Sequence, residues 1–203
     1  MKDIKAKYLG VVFAVWTLTM ACSGNQRSAE NSDGSQNVAA SKESENGQFS
    51  SSASDAQPAR KEPAATIPDF TFYKLNSGMA FTKQDLSVKG NIVFILFDPD
   101  CSHCQHEAGM LGTAYSRIKN AHLYFISMMD PNIMSGFFDR YAKQLKDKDN
   151  VMMLYDRKAE FINKIHVPDQ YPATYVYGKD GRLKEYWNGD RDIEKIITSI
   201  NQG

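Results

Sequence analysis

The sequence predicts an α/β domain over residues 66–203, a central mixed β-sheet flanked by helices. Three observations predict it. Strand-like and helix-like apolar patterns alternate through the first half of that stretch, which builds a layered sheet. A hairpin signal and one more helical pattern close it, which adds an antiparallel pair. Between them, Asn91 to Phe97, NIVFILF, is almost wholly apolar and rich in β-branched and aromatic residues. Such a run suits a central strand buried on both faces.

Taken in order, Ile67-Pro68-Asp69-Phe70 opens the domain and FTFYKL alternates like a strand. Asn76-Ser77-Gly78 reads as a turn, and MAFTKQDL as a short strand with a helical turn. After the central strand, Ala108, Leu111, Tyr115 and Ile118 recur at helical spacing. HLYFISMM, from His122, is the next strand, and Ile133, Phe137, Tyr141 and Leu145 form a second helical stripe. VMMLY is a third core strand and AEFINKI a short helix. YPATYVYGKDGRLKEYWNG then reads as two strands joined at Asp180-Gly181, and DIEKIITSI as a final helix. Met128-Met129 and Met152-Met153 fill core strands, and Tyr186 and Trp187 pack in the hairpin. No internal repeat is present.

The first 65 residues have a different character. Lys2, Lys5 and Lys7 precede an apolar run from Leu9 to Met20, followed by Ala21-Cys22-Ser23. That run has signal-peptide length and is shorter than the roughly 20 residues of a membrane-spanning helix. A small residue followed by Cys, where the apolar run stops, resembles the lipobox of bacterial lipoproteins. Thr19 stands where those sequences usually carry Leu. The resemblance implies a leader over residues 1–21 and lipidation at Cys22; an uncleaved anchor or an ordinary secretory signal are the alternatives. Residues 22–65 are rich in Ser, Asn, Gln, Glu, Ala and Lys, with Phe49 as the one aromatic residue. They lack the apolar surface to fold and read as a tether with a reach of about 35–40 Å. An exported chain works where disulfides persist, and the lipoprotein resemblance implies the periplasmic side of a bacterial envelope membrane, inner or outer. The 24 basic and 24 acidic residues balance to a formal net charge of zero, so charge supports no nucleic-acid role.

The chemistry concentrates in FDPDCSHCQHE, Phe97 to Glu107. The C-x-x-C of Cys101 and Cys104 follows the central strand and opens a helix. Cys101 falls at the helix N-terminus, where free N–H groups and the helix dipole favour a thiolate. Cys104, one turn on, lines up with the apolar stripe. An exposed attacking thiol and a sheltered resolving thiol are what disulfide exchange requires.

With those residues in view, the domain resembles the TlpA/ResA type of thioredoxin-fold protein, the membrane-tethered thiol–disulfide oxidoreductases of bacterial envelopes. The matching pieces run through nearly all of residues 66–203. They are PDF near the start, strand–C-x-x-C–helix, Glu107 in C-x-x-C-x-x-E, and YD before a short helix. VPDQYPATYVYGKDGRL then resembles the family's cis-proline loop, strand, turn and strand. The resemblance implies a thioredoxin-like fold. It implies that Pro172 is the cis-proline beside the disulfide and that the Tyr171 backbone pairs with an extended substrate segment. It implies Cys101 and Cys104 as catalytic thiols, no metal or organic cofactor, and envelope protein thiols and disulfides as partners. For a reducing role it implies an electron-supplying membrane thiol reductase as a further partner. Three positions depart from the family pattern. Asp100 replaces the usual Trp before the first Cys, with Asp98 nearby; Gly109 replaces a Pro beyond Glu107; and Ile95 stands where thioredoxin carries a buried acid. Asp98 and Asp100 oppose a thiolate on Cys101, whereas His103 between the cysteines, as in strongly oxidising relatives, favours it. Glu107 either pairs with His103 one turn back or shapes proton transfer and substrate access near the disulfide.

Two other chemistries share these residues. Cys101 and Cys104 with a distant His122 or His166 could bind copper or zinc, as a metallochaperone does. His103 and His106 lie on the opposite helix face from Cys104 and cannot converge with it on one ion. A thiol peroxidase would need a Thr a turn before its reactive Cys and an Arg to polarise the peroxide; Asp98 stands at the Thr position. A purely structural disulfide is disfavoured, because so small a loop restricts the unfolded chain little. The other histidines read as structural: His106 solvated on the outer helix face, and His122 at a strand edge.

Overall fold

The computed structural model describes residues 62–202. The expected leader over residues 1–21, the expected lipidation at Cys22 and most of the expected tether over residues 22–65 lie outside the described residues. Ala64 N–H donates to Ile165 O, and Leu183 N–H to Ala65 O, so the domain's backbone pairing begins before Thr66.

Seven strands form one mixed sheet: β1 (Thr71–Lys74), β2 (Ala80–Thr82), β3 (Asn91–Leu96), β4 (Ala121–Ser127), β5 (Val151–Tyr155), β6 (Ala173–Tyr177) and β7 (Leu183–Asn188). Their order is β2-β1-β5-β4-β3-β6-β7. The central strands β3, β4 and β5 run parallel. β1 lies antiparallel to β2 and β5, and β6 lies antiparallel to β3 and β7. The α/β class with a mixed sheet flanked by helices is therefore the observed one.

Strand period explains why β3 is apolar throughout. Val93 and Ile95 point into one core layer, together with Phe97 just beyond the strand; Ile92, Phe94 and Leu96 point into the other. The first layer is closed by α1 (Ser102–Thr113), α3 (Phe137–Tyr141) and α5 (Ile193–Asn201), through Cys104, Ala108, Leu111, Phe137, Ile196 and Ile200. The second is aromatic. Phe94 meets the rings of Phe70, Tyr124, Phe161 and Tyr177, with α4 (Glu160–Lys164) supplying Phe161. Local chemistry starts the helices. Asp192 accepts from the N–H groups of Glu194 and Lys195 at the head of α5. Buried Asp156 accepts from Glu160 N and Phe161 N at the head of α4.

Two helical expectations are corrected. The stripe from Ile133 to Leu145 is not one helix. It is α2 (Pro131–Met134), α3 and a 3₁₀ turn at Lys143–Leu145. Gly136 stands between α2 and α3 with φ +77°, a left-handed conformation that an α-helix cannot continue through. The break turns Met134 into the core and leaves Ile133 exposed. Likewise α1 ends at Thr113, and Tyr115 belongs to a following 3₁₀ turn. β5 is less central than VMMLY suggests, with Leu154 its one fully buried residue.

Candidate active site

Cys101 is the N-cap of α1, at the helix end whose first-turn N–H groups lack intrahelical partners, although its side chain makes no capping hydrogen bond. It is partly exposed, whereas Cys104 is 2% exposed, and both are free thiols. The exposed and sheltered thiols thus fall as the helical spacing predicts. Asp98 N–H donates to Cys104 Sγ at 3.5 Å. Burial pushes the Cys104 thiol far up, against that hydrogen bond, and the charge of Glu107 adds to the effect.

Glu107 is the most consequential side chain beside the cysteines. It is 2% exposed, on the same face of α1 as Cys104 and Ala108. Thr174 Oγ1 donates to its Oε1 at 3.1 Å; Oε2 is buried without a hydrogen-bond partner. Burial pushes the carboxyl up to about 7. The Thr174 hydroxyl opposes this, as does the Trp187 indole N–H, although that group makes no hydrogen bond of regular geometry. Nearby Asp190 raises the carboxyl further and Arg191 lowers it. The expected Glu107–His103 ion pair is absent, because Glu107 points into the core while His103 points out. His103 Nδ1 instead lies 2.6 Å from Asp190 Oδ2.

Across from Cys101 lies the loop ending in Tyr171-Pro172, whose peptide bond is cis. The Cys101 thiol donates to Tyr171 O at 3.9 Å, so this sulfur faces that backbone. A cleft of about 580 Å³ opens here, lined by Asp98, Cys101, His103, Gln170, Tyr171 and the turn Asn188–Asp190. The larger groove, of about 660 Å³, lies over the outer side of α1, away from both thiols, and takes no part in this chemistry.

Tertiary structure adds Thr174, Trp187, Asn188 and Asp190 to the sequence-predicted set. A signal existed for Thr174, the one polar residue amid the apolar ATYV of β6, two residues after Pro172. The distant histidines considered as metal ligands are engaged elsewhere: His122 Nε2 bonds Ser87 Oγ at 2.8 Å, and buried His166 bonds Tyr175 Oη. His122 is partly buried within β4, held by that bond, rather than at a strand edge. Among the described residues, no three His, Cys, Asp or Glu side chains gather around a common point. The cleft lining contains no Arg of the kind a peroxidase needs.

A mixed sheet with C-x-x-C at the head of its first helix, faced by a cis-proline loop, is the thioredoxin-like class, an oxidoreductase fold. A model of the AhpC/TSA family matches residues 63–186, and the chain belongs to that family. Solved structures share the fold. A secreted Mycobacterium tuberculosis disulfide oxidoreductase homologous to E. coli DsbE is 23% identical, covering 64% of this chain and 93% of that one, at a TM-score of 0.51. BsSco, of the Sco family of cytochrome c oxidase assembly proteins, is 17% identical, covering 70% and 95%, at 0.52. The exposed lipoprotein thioredoxin of Streptococcus pneumoniae is 14% identical, covering 66% and 98%, at 0.51. No curated protein matches the chain.

Proposed function

We propose that this protein is an exported, lipid-anchored thiol–disulfide oxidoreductase acting on envelope proteins. One observation carries the reading: a partly exposed Cys101 at the head of α1 facing Tyr171 O, backed by a buried Cys104 with a buried carboxyl on the same helix face. The Cys101 thiolate attacks one sulfur of a partner disulfide. That S–S bond breaks, a Cys101–partner bond forms, and the first partner thiolate leaves. Glu107 takes the Cys104 proton, and the Cys104 thiolate attacks Cys101 Sγ. The second partner thiolate leaves, the partner has gained two electrons, and Cys101–Cys104 is oxidised to the disulfide. Run in reverse, the oxidised pair accepts electrons from partner thiols. Pro172 and the Tyr171 backbone present the partner segment as a short added strand.

A reducing role needs a membrane thiol reductase to restore the dithiol. Attachment rests on the apolar run ending at Ala21-Cys22. Cys22→Ala is expected to move the protein from the membrane to the soluble fraction. Unchanged membrane retention would count against lipidation there.

The exchange reading is tested with Cys104→Ser, which keeps the attacking thiol and removes the resolving one. Incubated with oxidised glutathione, it is expected to hold a stable mixed disulfide at Cys101, seen by intact mass. Wild type is expected to pass through to its internal disulfide. A Cys104→Ser protein that never forms the adduct, or a wild type that consumes peroxide faster than disulfides, would defeat the reading.

A further inference from the structure

The turn between β7 and α5 carries no recognisable motif, yet it reaches two working parts of the site. Gly189 N–H donates to Pro172 O at 2.7 Å, which fastens the turn to the proline loop. Gly189 has φ +71°, and a side-chain carbon there would stand 2.6 Å from Gln170 Oε1, so the two loops meet closely. Arg191 anchors the far side. Its guanidinium lies 4.3 Å from the Trp187 ring centre and bonds Glu185 at 2.6 Å. Between these two fixed points stands Asp190, whose Oδ2 is 2.6 Å from His103 Nδ1.

We propose that Asp190 is a positioning residue. Through His103 it ties the C-x-x-C turn to the β7–α5 turn, and so sets the width of the cleft that receives an extended protein segment beside Cys101. This rests on the thiol–disulfide reading above. Three observations support it. His103 is the residue between the two cysteines nearest the resolving thiol in sequence, so a contact there fixes the active-site turn itself. The β7–α5 turn forms the wall of the cleft that also contains Asp98, Cys101 and Tyr171. Through Gly189 and Pro172, the same wall is already bonded to the loop that presents the partner. The bridge closes a ring of contacts from α1 to the β7–α5 turn, on to the proline loop, and back to Cys101 Sγ through Tyr171 O.

Both side chains of the bridge are about half exposed, 59% and 51%, so water screens the attraction and the effect is modest. Its value lies in fixing a geometry before the partner arrives, which shows in binding rather than in chemistry. Removing it is therefore expected to raise KM for a protein disulfide about threefold, as loss of one exposed polar bridge allows, whereas any change in kcat, from removing the charge of Asp190 near Glu107 or the ring of His103 beside Cys101, falls on both substrates alike.

The test uses the full-length protein with a folded disulfide-bearing protein as substrate, and glutathione disulfide beside it. Asp190→Ala, His103→Ala and the double variant are compared with wild type by KM and kcat. Asp190→Ala and His103→Ala are each expected to raise KM for the protein substrate about threefold. The double variant is expected to be no worse than either single one, because both break the same bridge. With glutathione disulfide, too small to span the cleft, the increase is expected to be smaller. The urea midpoint should be the same in all four proteins. KM increases that multiply in the double variant, equal KM increases on both substrates, an effect confined to kcat, or no effect would each overturn the proposal. A wild type that reduces neither substrate would instead overturn the exchange reading, and this inference with it.

Discussion

Replacing Cys101 with serine is expected to abolish thiol–disulfide exchange. No other described thiol can take over. Cys104 is 2% exposed, and burial holds its proton on far more tightly than in an ordinary thiol. A neutral, inaccessible sulfur is a poor nucleophile, so the loss should reach about a thousandfold or more. The measurement is the rate at which the full-length variant reduces a protein disulfide, with dithiothreitol as electron source. The fold should be unharmed, because serine is nearly isosteric and Cys101 lies at a helix cap where serine is a favoured residue. A Cys101→Ser protein that exchanges as fast as wild type would falsify the assignment of the attacking thiol.

Glu107→Gln is expected to separate two effects of one buried carboxyl. The first is kinetic. A carboxyl pushed up to about 7 can accept a proton near neutral pH, and the buried Cys104 thiol needs such an acceptor before it can resolve the mixed disulfide. Glutamine cannot accept that proton. The resolving step should slow by about a hundredfold, the lower end of general-base contributions. Its pH profile should lose an inflection near 7. Stopped-flow decay of a preformed Cys101–glutathione adduct reads this directly.

The second effect is on stability. Below about pH 4.5 the carboxyl is protonated in both the folded and unfolded chain and adds no pH dependence. Between there and about 7 the unfolded chain ionises while the folded one holds its proton, so wild-type stability falls as pH rises. Above about 7 the penalty is complete, on the order of 3 kcal/mol. Glutamine removes the penalty. Urea unfolding of the reduced proteins should find Glu107→Gln more stable than wild type at pH 8, with the gap closing toward pH 5. Parallel stability curves for the two proteins, with an unaltered resolving rate, would show that Glu107 neither carries this ionisation nor serves Cys104.

Most of the fold was legible because its signals are local. NIVFILF reads as a doubly buried strand from composition alone, and its residues do alternate between two core layers. The C-x-x-C could be placed on a helix head because a strand pattern precedes it and a helical stripe follows. The placement of Glu107 was also available. It sits three residues after Cys104 and one before Ala108, inside the apolar stripe, and an acid at such a position is buried if the stripe is. The pull of a nearer partner, His103, obscured it. The second helical stripe misled for the opposite reason. Its periodicity is real, but Gly136 adopts a positive φ that periodicity cannot report.

By itself the sequence determined the order and kind of the elements, the two thiols and their unequal exposure. These follow from side-chain period and from the helix head next to Cys101, interactions that span a few residues. Tertiary structure decided what surrounds the thiols. Thr174 reaches Glu107 across 67 residues and Asp190 reaches His103 across 87. Those meetings depend on β6 pairing antiparallel with β3 and β7 with β6, which carries the proline loop and the β7–α5 turn to the head of α1. No local pattern encodes them. The proton affinity of Glu107 depends first on its burial, and then on Thr174 of β6, Trp187 of β7, and Asp190 and Arg191 of the turn beyond, surroundings that exist only once the chain has closed around it.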